Sequence, residues 1–201
     1  MKVVIVGGVA GGATAAARIR RLKEDAEIII LEKTGYISYA NCGLPYYIGD
    51  VIEESNNLIL QTPQSFKNRF CIDVRVNNEV ISVNSDKKYV VVKNVLTNET
   101  YQETYDKLIL SPGAKPLMPN ISGMDSNRIF TLKTVEDTFK MKKFIQDKNP
   151  KRVVIIGGGF IGMEMLENLL NLGLEVTLIE GSNQLLGQLD EIGRASCRER
   201  V

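Results

Sequence analysis

The chain has 201 residues, 44% hydrophobic and 24% charged, the balance of a folded globular protein rather than a disordered one. Its 25 basic and 24 acidic residues leave a formal net charge of +1, which gives no reason to expect nucleic acid or an anionic membrane as partner. Histidine is absent, which excludes a Ser-His-Asp triad, a His-ligated metal and a histidine general base within these residues.

Residues 3–17 form an uncharged, Ala-rich run behind Lys2 that imitates a secretory signal, but Gly7, Gly8, Gly11 and Gly12 interrupt it. No other stretch approaches the roughly 20 apolar residues that span a bilayer. The β-branched run 3–6 predicts a buried parallel strand ending at glycines, followed by a helix over 11–23 with basic residues at its end. A second strand follows over 27–31 and ends at Glu32. Residues 36–49 form a loop rich in Tyr, Gly and Asn in which Pro45 opens a short helix, and Thr62-Pro63 opens another that runs to about residue 70. From 72 to 110 alternating residues with polar turns at 84–88 and 97–100 predict an antiparallel meander, whose last strand, 107–110, ends in Ser111-Pro112-Gly113. Pro112, Pro116 and Pro119 mark an extended connector, and Thr134 with Asp137 caps a helix to about residue 147. A second strand-helix-strand unit then runs over 153–156, 159–172 and 175–179, with Gly173 as the natural C-cap. The two units form a weak internal repeat within an α/β chain carrying two Rossmann-like halves. The segment from Glu191 onward has no apolar periodicity.

The second unit carries the sharper nucleotide signature. Gly157-Gly158-Gly159-Phe160-Ile161-Gly162 fits GxGxxG between a strand and a helix, with Glu180 at the end of the next strand. Such glycines permit a tight turn against which a pyrophosphate approaches the helix N-terminus, while the carboxylate accepts ribose hydroxyls. An acidic residue at 180 favours NADH over NADPH, whose extra phosphate it repels. In the first unit Gly7, Gly8, Gly11 and Gly12 are present, but Val9 takes the middle glycine position, followed by Ala10; Glu32 stands where the ribose carboxylate belongs, with Lys33 beside it. Two such folds flanking a β meander point to two dinucleotides, a flavin and its nicotinamide reductant.

Three cysteines, at 42, 71 and 197, show no CxxC spacing and suit a reducing, intracellular (cytoplasmic) setting. Cys42 lies on a Gly-rich loop leading into a helix start, where a thiol is favoured as thiolate, so it is the candidate redox residue. Cys71, between Phe70 and Ile72, is expected in the core, and Cys197 is assigned nothing.

The stretches VVIVGGVAGGATAAARIRRL, SYANCGLPYYIGD, YDKLILSPGAKP and VVIIGGGFIGMEMLENL, spread over nearly all of residues 1–190, resemble the flavin-dependent pyridine nucleotide-disulfide oxidoreductases, in their single-cysteine branch. No second cysteine follows within Gly43, Leu44, Pro45, Tyr46 and Tyr47. The resemblance implies that NADH, or NADPH, reduces FAD, which delivers electrons to a mixed disulfide between Cys42 and coenzyme A. It implies coenzyme A contacts at Thr14, Arg18, Arg21, Ser38 and Asn41, and cofactor contacts that include Ser111, Pro112 and Gly113. A family lysine is replaced by Phe70, with Arg69 adjacent. It further implies a flavin domain over 1–148, the start of a nicotinamide domain over 149–190, a departure from the family pattern over 191–201, and relatives that continue into a dimerisation domain, forming homodimers when full length. On that reading the 201-residue chain is expected to bind flavin weakly and turn over poorly.

Two competing functions remain at this level. NADH oxidases and peroxidases of the same branch cycle the cysteine through sulfenic acid, but they carry a histidine in the first Gly-rich loop, where this chain has Ala10. A non-catalytic module that senses NADH or redox state is the other, whereas reduction of a related persulfide belongs to the reductase reading itself and is not distinguishable from coenzyme A disulfide reduction by these residues.

Overall fold

The computed structural model describes residues 1–187 and 189; the departure expected over 191–201, and Cys197 with it, lie outside the described residues. The chain divides into two compact units, one of 1–41, 56–124 and 133–136, the other of 42–55, 125–132 and 137 onward.

The first unit is built on a four-stranded parallel sheet. Its strands are β1 (Lys2–Val6), β2 (Glu27–Leu31), β3 (Asp73–Arg75) and β7 (Lys107–Leu110), in the order β3-β2-β1-β7. Strands covered on both faces read as continuous apolar runs rather than alternations, and β1 and β2, Lys-Val-Val-Ile-Val and Glu-Ile-Ile-Ile-Leu, are of that kind. One face packs against helices α1 (Ala10–Leu22) and α3 (Pro63–Phe70): Val3, Ile5, Ile28 and Ile30 meet Ala13, Ala16 and Phe66. The other face is covered by an antiparallel sheet of β4 (Asn78–Asn84), β5 (Tyr89–Asn94) and β6 (Thr100–Thr104), with Val4, Ile29 and Leu31 against Val90 and Val92. Small alanines let α1 lie close to the sheet. Helix α3 starts on a reciprocal cap in which Ser65 N–H donates to Thr62 Oγ1 at 3.1 Å and Thr62 N–H donates to Ser65 Oγ at 2.9 Å.

Two expectations are corrected here. The meander occupies only β4 to β6; β3 pairs in parallel with β2 and β7 in parallel with β1, so both ends of the 72–110 stretch belong to the parallel sheet. Alternation along short strands is the same in either setting, and only the partner strand distinguishes them. Cys71 is exposed rather than core. It is the C-cap of α3, in the left-handed conformation at φ 50°, and this reversal sends Ile72 inward instead.

The second unit holds a two-stranded parallel sheet, β8 (Arg152–Ile156) and β9 (Glu175–Ile179), joined by α5 (Phe160–Asn171). Helix α5 ends in a Schellman motif at Gly173, φ 78°, where Gly173 N–H donates to Leu170 O and Leu174 N–H to Leu169 O. Two further helices, α2 (Leu44–Ile48) and α4 (Val135–Lys148), add Ile48, Met141 and Ile145 to a core with Met165, Leu169, Val153 and Ile155. This shared core groups α2 and most of α4 with the second unit.

Candidate functional site

Three of the expected cofactor segments converge at the carboxyl edge of the first sheet, because β2, β1 and β7 are adjacent and parallel and each ends in one of them. After β1 the chain turns at Gly7, φ 94°, a left-handed conformation that a side chain resists; a Cβ there would also lie 2.0 Å from Ser111 O. At Gly12 a Cβ would lie 1.8 Å from Gly7 O, so the turn and the first turn of α1 close directly on one another. Helix α1 then begins at Val9 with no side-chain cap and no acidic residue in its first turn, which leaves its leading N–H groups available to an anion.

Glu32 is buried and clamps this loop. Its Oε2 accepts from Gly8 N–H at 2.7 Å, and its Oε1 accepts from Thr34 N–H and Thr34 Oγ1, both at 2.9 Å. A carboxylate has acceptor capacity beyond three bonds, so it remains able to take a ribose hydroxyl while it shapes the turn. Thr34 was not singled out from the sequence; a hydroxyl two residues after the acidic position is the local signal that points to it. Lys33 turns outward, 3.8 Å from Glu79, whereas Ser111 stands beside the loop, its Oγ 3.2 Å from where a Gly11 Cβ would be. Pro112 and Gly113 lie exposed beyond it.

Thr14, Arg18 and Arg21, expected at a coenzyme A site, occupy one exposed face of α1 at spacings of four and three. Arg20 is of another kind: its Nε donates to Phe70 O at 2.7 Å and its Nη2 to Cys71 O at 2.9 Å, which ties α1 to the end of α3. Phe70 packs in a tilted arrangement against Phe66, ring centroids 5.4 Å apart, with the Arg69 guanidinium 5.2 Å over its ring. Ser38 adopts φ 45°, and its N–H donates to Gly8 O at 3.0 Å, so a strained residue lies against the Gly-rich loop. Asn41 closes this segment, exposed.

Cys42 is exposed in a 3-10 turn, Asn41–Gly43, that leads into α2. Pro45 stands in the first turn of α2 as expected, but the helix is only five residues long.

The second turn repeats the left-handed glycine, the close glycine pair and the carboxylate clamp of the first. Gly157 has φ 105°, and a Cβ at Gly162 would lie 2.0 Å from Gly157 O. Glu180 Oε2 accepts from Gly158 N–H at 2.6 Å and Oε1 from Ser182 N–H at 2.8 Å. These backbone hydrogen bonds, Ser182 first and Gly158 next, hold the Glu180 carboxyl down to about 2, so it is ionised at any neutral pH. Gly159 stands apart: it is extended, φ −79°, and a Cβ would meet nothing within 4 Å. Neither backbone nor packing requires glycine there, and its lack of a side chain leaves open space in front of the uncapped start of α5. Phe160 and Ile161, the first residues of that helix, are exposed.

Both turns therefore fit a dinucleotide pyrophosphate. Residues 1–201 match the family model described as pyridine nucleotide-disulphide oxidoreductase. Coenzyme A disulfide reductase of Staphylococcus haemolyticus is 46% identical over 190 residues, 94% of this chain and 42% of that protein. The crystal structure of reduced Bacillus anthracis CoADR-RHD is 52% identical with a TM-score of 0.96, covering 99% of this chain and 36% of that one. A NAD-dependent persulfide reductase from A. fulgidus is 33% identical with a TM-score of 0.92, covering 100% of this chain and 38% of its own. The chain thus spans less than half the length of these relatives. Among the described residues no helix is long and apolar enough to cross a membrane, and no group of His, Cys, Asp and Glu gathers at a metal site. With residues 1–201 matched to its model, the chain belongs to the pyridine nucleotide-disulphide oxidoreductase family.

Proposed function

We propose that this protein reduces coenzyme A disulfide through Cys42, with FAD at the first Gly-rich turn and NADH at the second. The observation that carries the reading is the exposed Cys42, followed by five residues without a second thiol, in a chain 46% identical to a coenzyme A disulfide reductase. The Cys42 thiolate attacks one sulfur of the substrate disulfide, forming a Cys42–coenzyme A mixed disulfide and releasing one coenzyme A as its thiolate. FAD held at the first turn and reduced by NADH would supply the electron pair needed to reopen this disulfide and free the second coenzyme A. Arg18 and Arg21 offer two fixed cations to the phosphates of the substrate, with Thr14, Ser38 and Asn41 as polar contacts. Glu32 orders the flavin turn, and the charged Glu180 selects NADH by repelling a 2′-phosphate. The domain assignment that accompanies this reading is 1–148 for flavin and 149–190 for the start of the nicotinamide domain, with a homodimer as the assembled form.

A persulfide is the second substrate class in keeping with the reading, supported by the 33% identity to a NAD-dependent persulfide reductase. Intact mass under non-reducing conditions tests the proposal. A coenzyme A adduct that a reductant removes and that Cys42→Ser abolishes is the expected result. Added oxygen on Cys42 in place of the adduct would instead favour the oxidase or peroxidase chemistry, and nucleotide binding unaffected by Cys42→Ser without any disulfide reduction in the parent would leave a nucleotide sensor.

A further inference from the structure

Helix α2 is too short to hold its own geometry, and its fixed points lie elsewhere in the second unit. On α4, the Lys142 ammonium donates to Tyr47 O at 2.6 Å, pairs with Asp50 Oδ1 at 2.7 Å and stands 3.8 Å over the Tyr47 ring. The Lys142 side chain is only 11% exposed while that of Asp50 is 59% exposed, so the bond to Tyr47 O is shielded from water and the ion pair is open to it on the Asp50 side. Tyr47 O, in the last turn of α2, also accepts from Asp50 N–H at 3.4 Å, so the Lys142 bond adds to the turn that closes the helix, and a cation at that end meets the negative pole of the helix. Asp50 is in the left-handed conformation, φ 60°, in the turn that leaves the helix. On α5, Asn168 is 1% exposed and presses against Gly49, where a Cβ would lie 2.3 Å from its Oδ1. Its Nδ2 donates to Glu164 O at 2.8 Å, while Oδ1 has no hydrogen-bond partner, a cost accepted for the close seat of α2.

We infer that Lys142 is a positioning residue for the redox cysteine: it clamps the far end of α2 and thereby fixes the segment that presents Cys42. The catalytic importance of that segment rests on the function proposed above; the clamp itself does not. Lys142 lies 95 residues from Tyr47 in sequence.

The test compares wild type with Lys142→Met, Lys142→Arg and Asp50→Asn in the FAD-loaded protein. One readout is amide hydrogen exchange at Gly49, Val51 and Ile52, whose N–H groups donate to Pro45 O and Tyr46 O. The other is the rate at which Cys42 forms a mixed disulfide with coenzyme A disulfide, with iodoacetamide alkylation of the exposed Cys71 as internal control. Lys142→Met is expected to speed exchange and slow mixed-disulfide formation, each by about tenfold, and to leave Cys71 alkylation unchanged. Lys142→Arg, which retains charge and donors, is expected to stay within about threefold of wild type, and Asp50→Asn to fall between. Unchanged exchange in both Lys142→Met and Asp50→Asn overturns the inference, as does faster exchange with an unchanged disulfide rate. Faster exchange in a protein whose wild-type Cys42 takes up no coenzyme A upholds the clamp and refutes the proposed function instead.

Discussion

The glycines of the second turn separate into those the fold needs and one that the ligand needs, and a pair of alanine substitutions distinguishes them. Gly162 is the third residue of α5, so Gly162→Ala gains about 1 kcal/mol of helix propensity. Its new methyl, however, would stand 2.0 Å from Gly157 O and must retreat by about 1 Å against backbone at both ends. Overpacking of that kind costs about 1–3 kcal/mol, and more where neither side yields, so we expect a net loss of about 1–2 kcal/mol. For a protein of this size that lowers Tm by about 2–8 °C. At Gly159 the backbone is in a region alanine adopts freely, and the methyl meets nothing. Loss of an N-cap glycine and stiffening of the unfolded chain offset each other there to within about 0.5 kcal/mol. Gly159→Ala is therefore expected to leave Tm unchanged while NADH affinity falls at least about tenfold, because the methyl occupies the approach of the pyrophosphate. Thermal unfolding followed by circular dichroism, with NADH binding by fluorescence titration, reads both effects. Equal destabilisation by the two variants would refute the geometry of the turn, and a Gly159→Ala protein with wild-type NADH affinity would remove the pyrophosphate from this site.

Two further outcomes follow from charge. Glu103 joins the meander to the parallel sheet, accepting from Lys2 Nζ and Arg75 Nη1, each at 2.5 Å. Burial alone would raise its carboxyl pKa, but these two cations outweigh burial and lower it. The stability it contributes is thus full above the ordinary glutamate range near pH 4.3 and is lost as pH falls through the lowered folded value. Glu103→Gln should cost about 1–3 kcal/mol at pH 7 in urea denaturation, and the gap to wild type should close only in acid; a gap that persists unchanged to the lowest pH at which the fold survives would contradict this. Glu180→Gln should lower the preference for NADH over NADPH about tenfold in initial rates, while the wild-type preference stays flat over roughly pH 7–9, where Glu180, held down to about 2, and the 2′-phosphate, whose second ionisation lies near pH 6, are both ionised. A wild-type enzyme that prefers NADPH, or a preference that Glu180→Gln leaves intact, would count against repulsion by Glu180.

Much of the site was legible because its signals are local. A strand of β-branched residues, a glycine turn, a helix and a second strand ending in glutamate follow from neighbours in sequence, and both copies are present at the expected residues. The Thr62 cap and the Gly173 stop are likewise local hydrogen-bond patterns. Cys71 was misplaced because its neighbours Phe70 and Ile72 are apolar, whereas its exposure follows from a left-handed backbone at the helix end.

What the sequence determined by itself is the chemistry: two glycine turns with their carboxylates, and one cysteine with no partner beside it. Strand order belongs to the tertiary structure, since β3 and β7 find β2 and β1 only through long-range pairing. So does the second duty of Glu32 and Glu180, which hold Gly8 and Gly158 across 24 and 22 residues, and so does the clamp of Lys142 on Tyr47. Each of these joins residues far apart in the chain, and periodicity reports only which face a residue occupies, never what that face will meet.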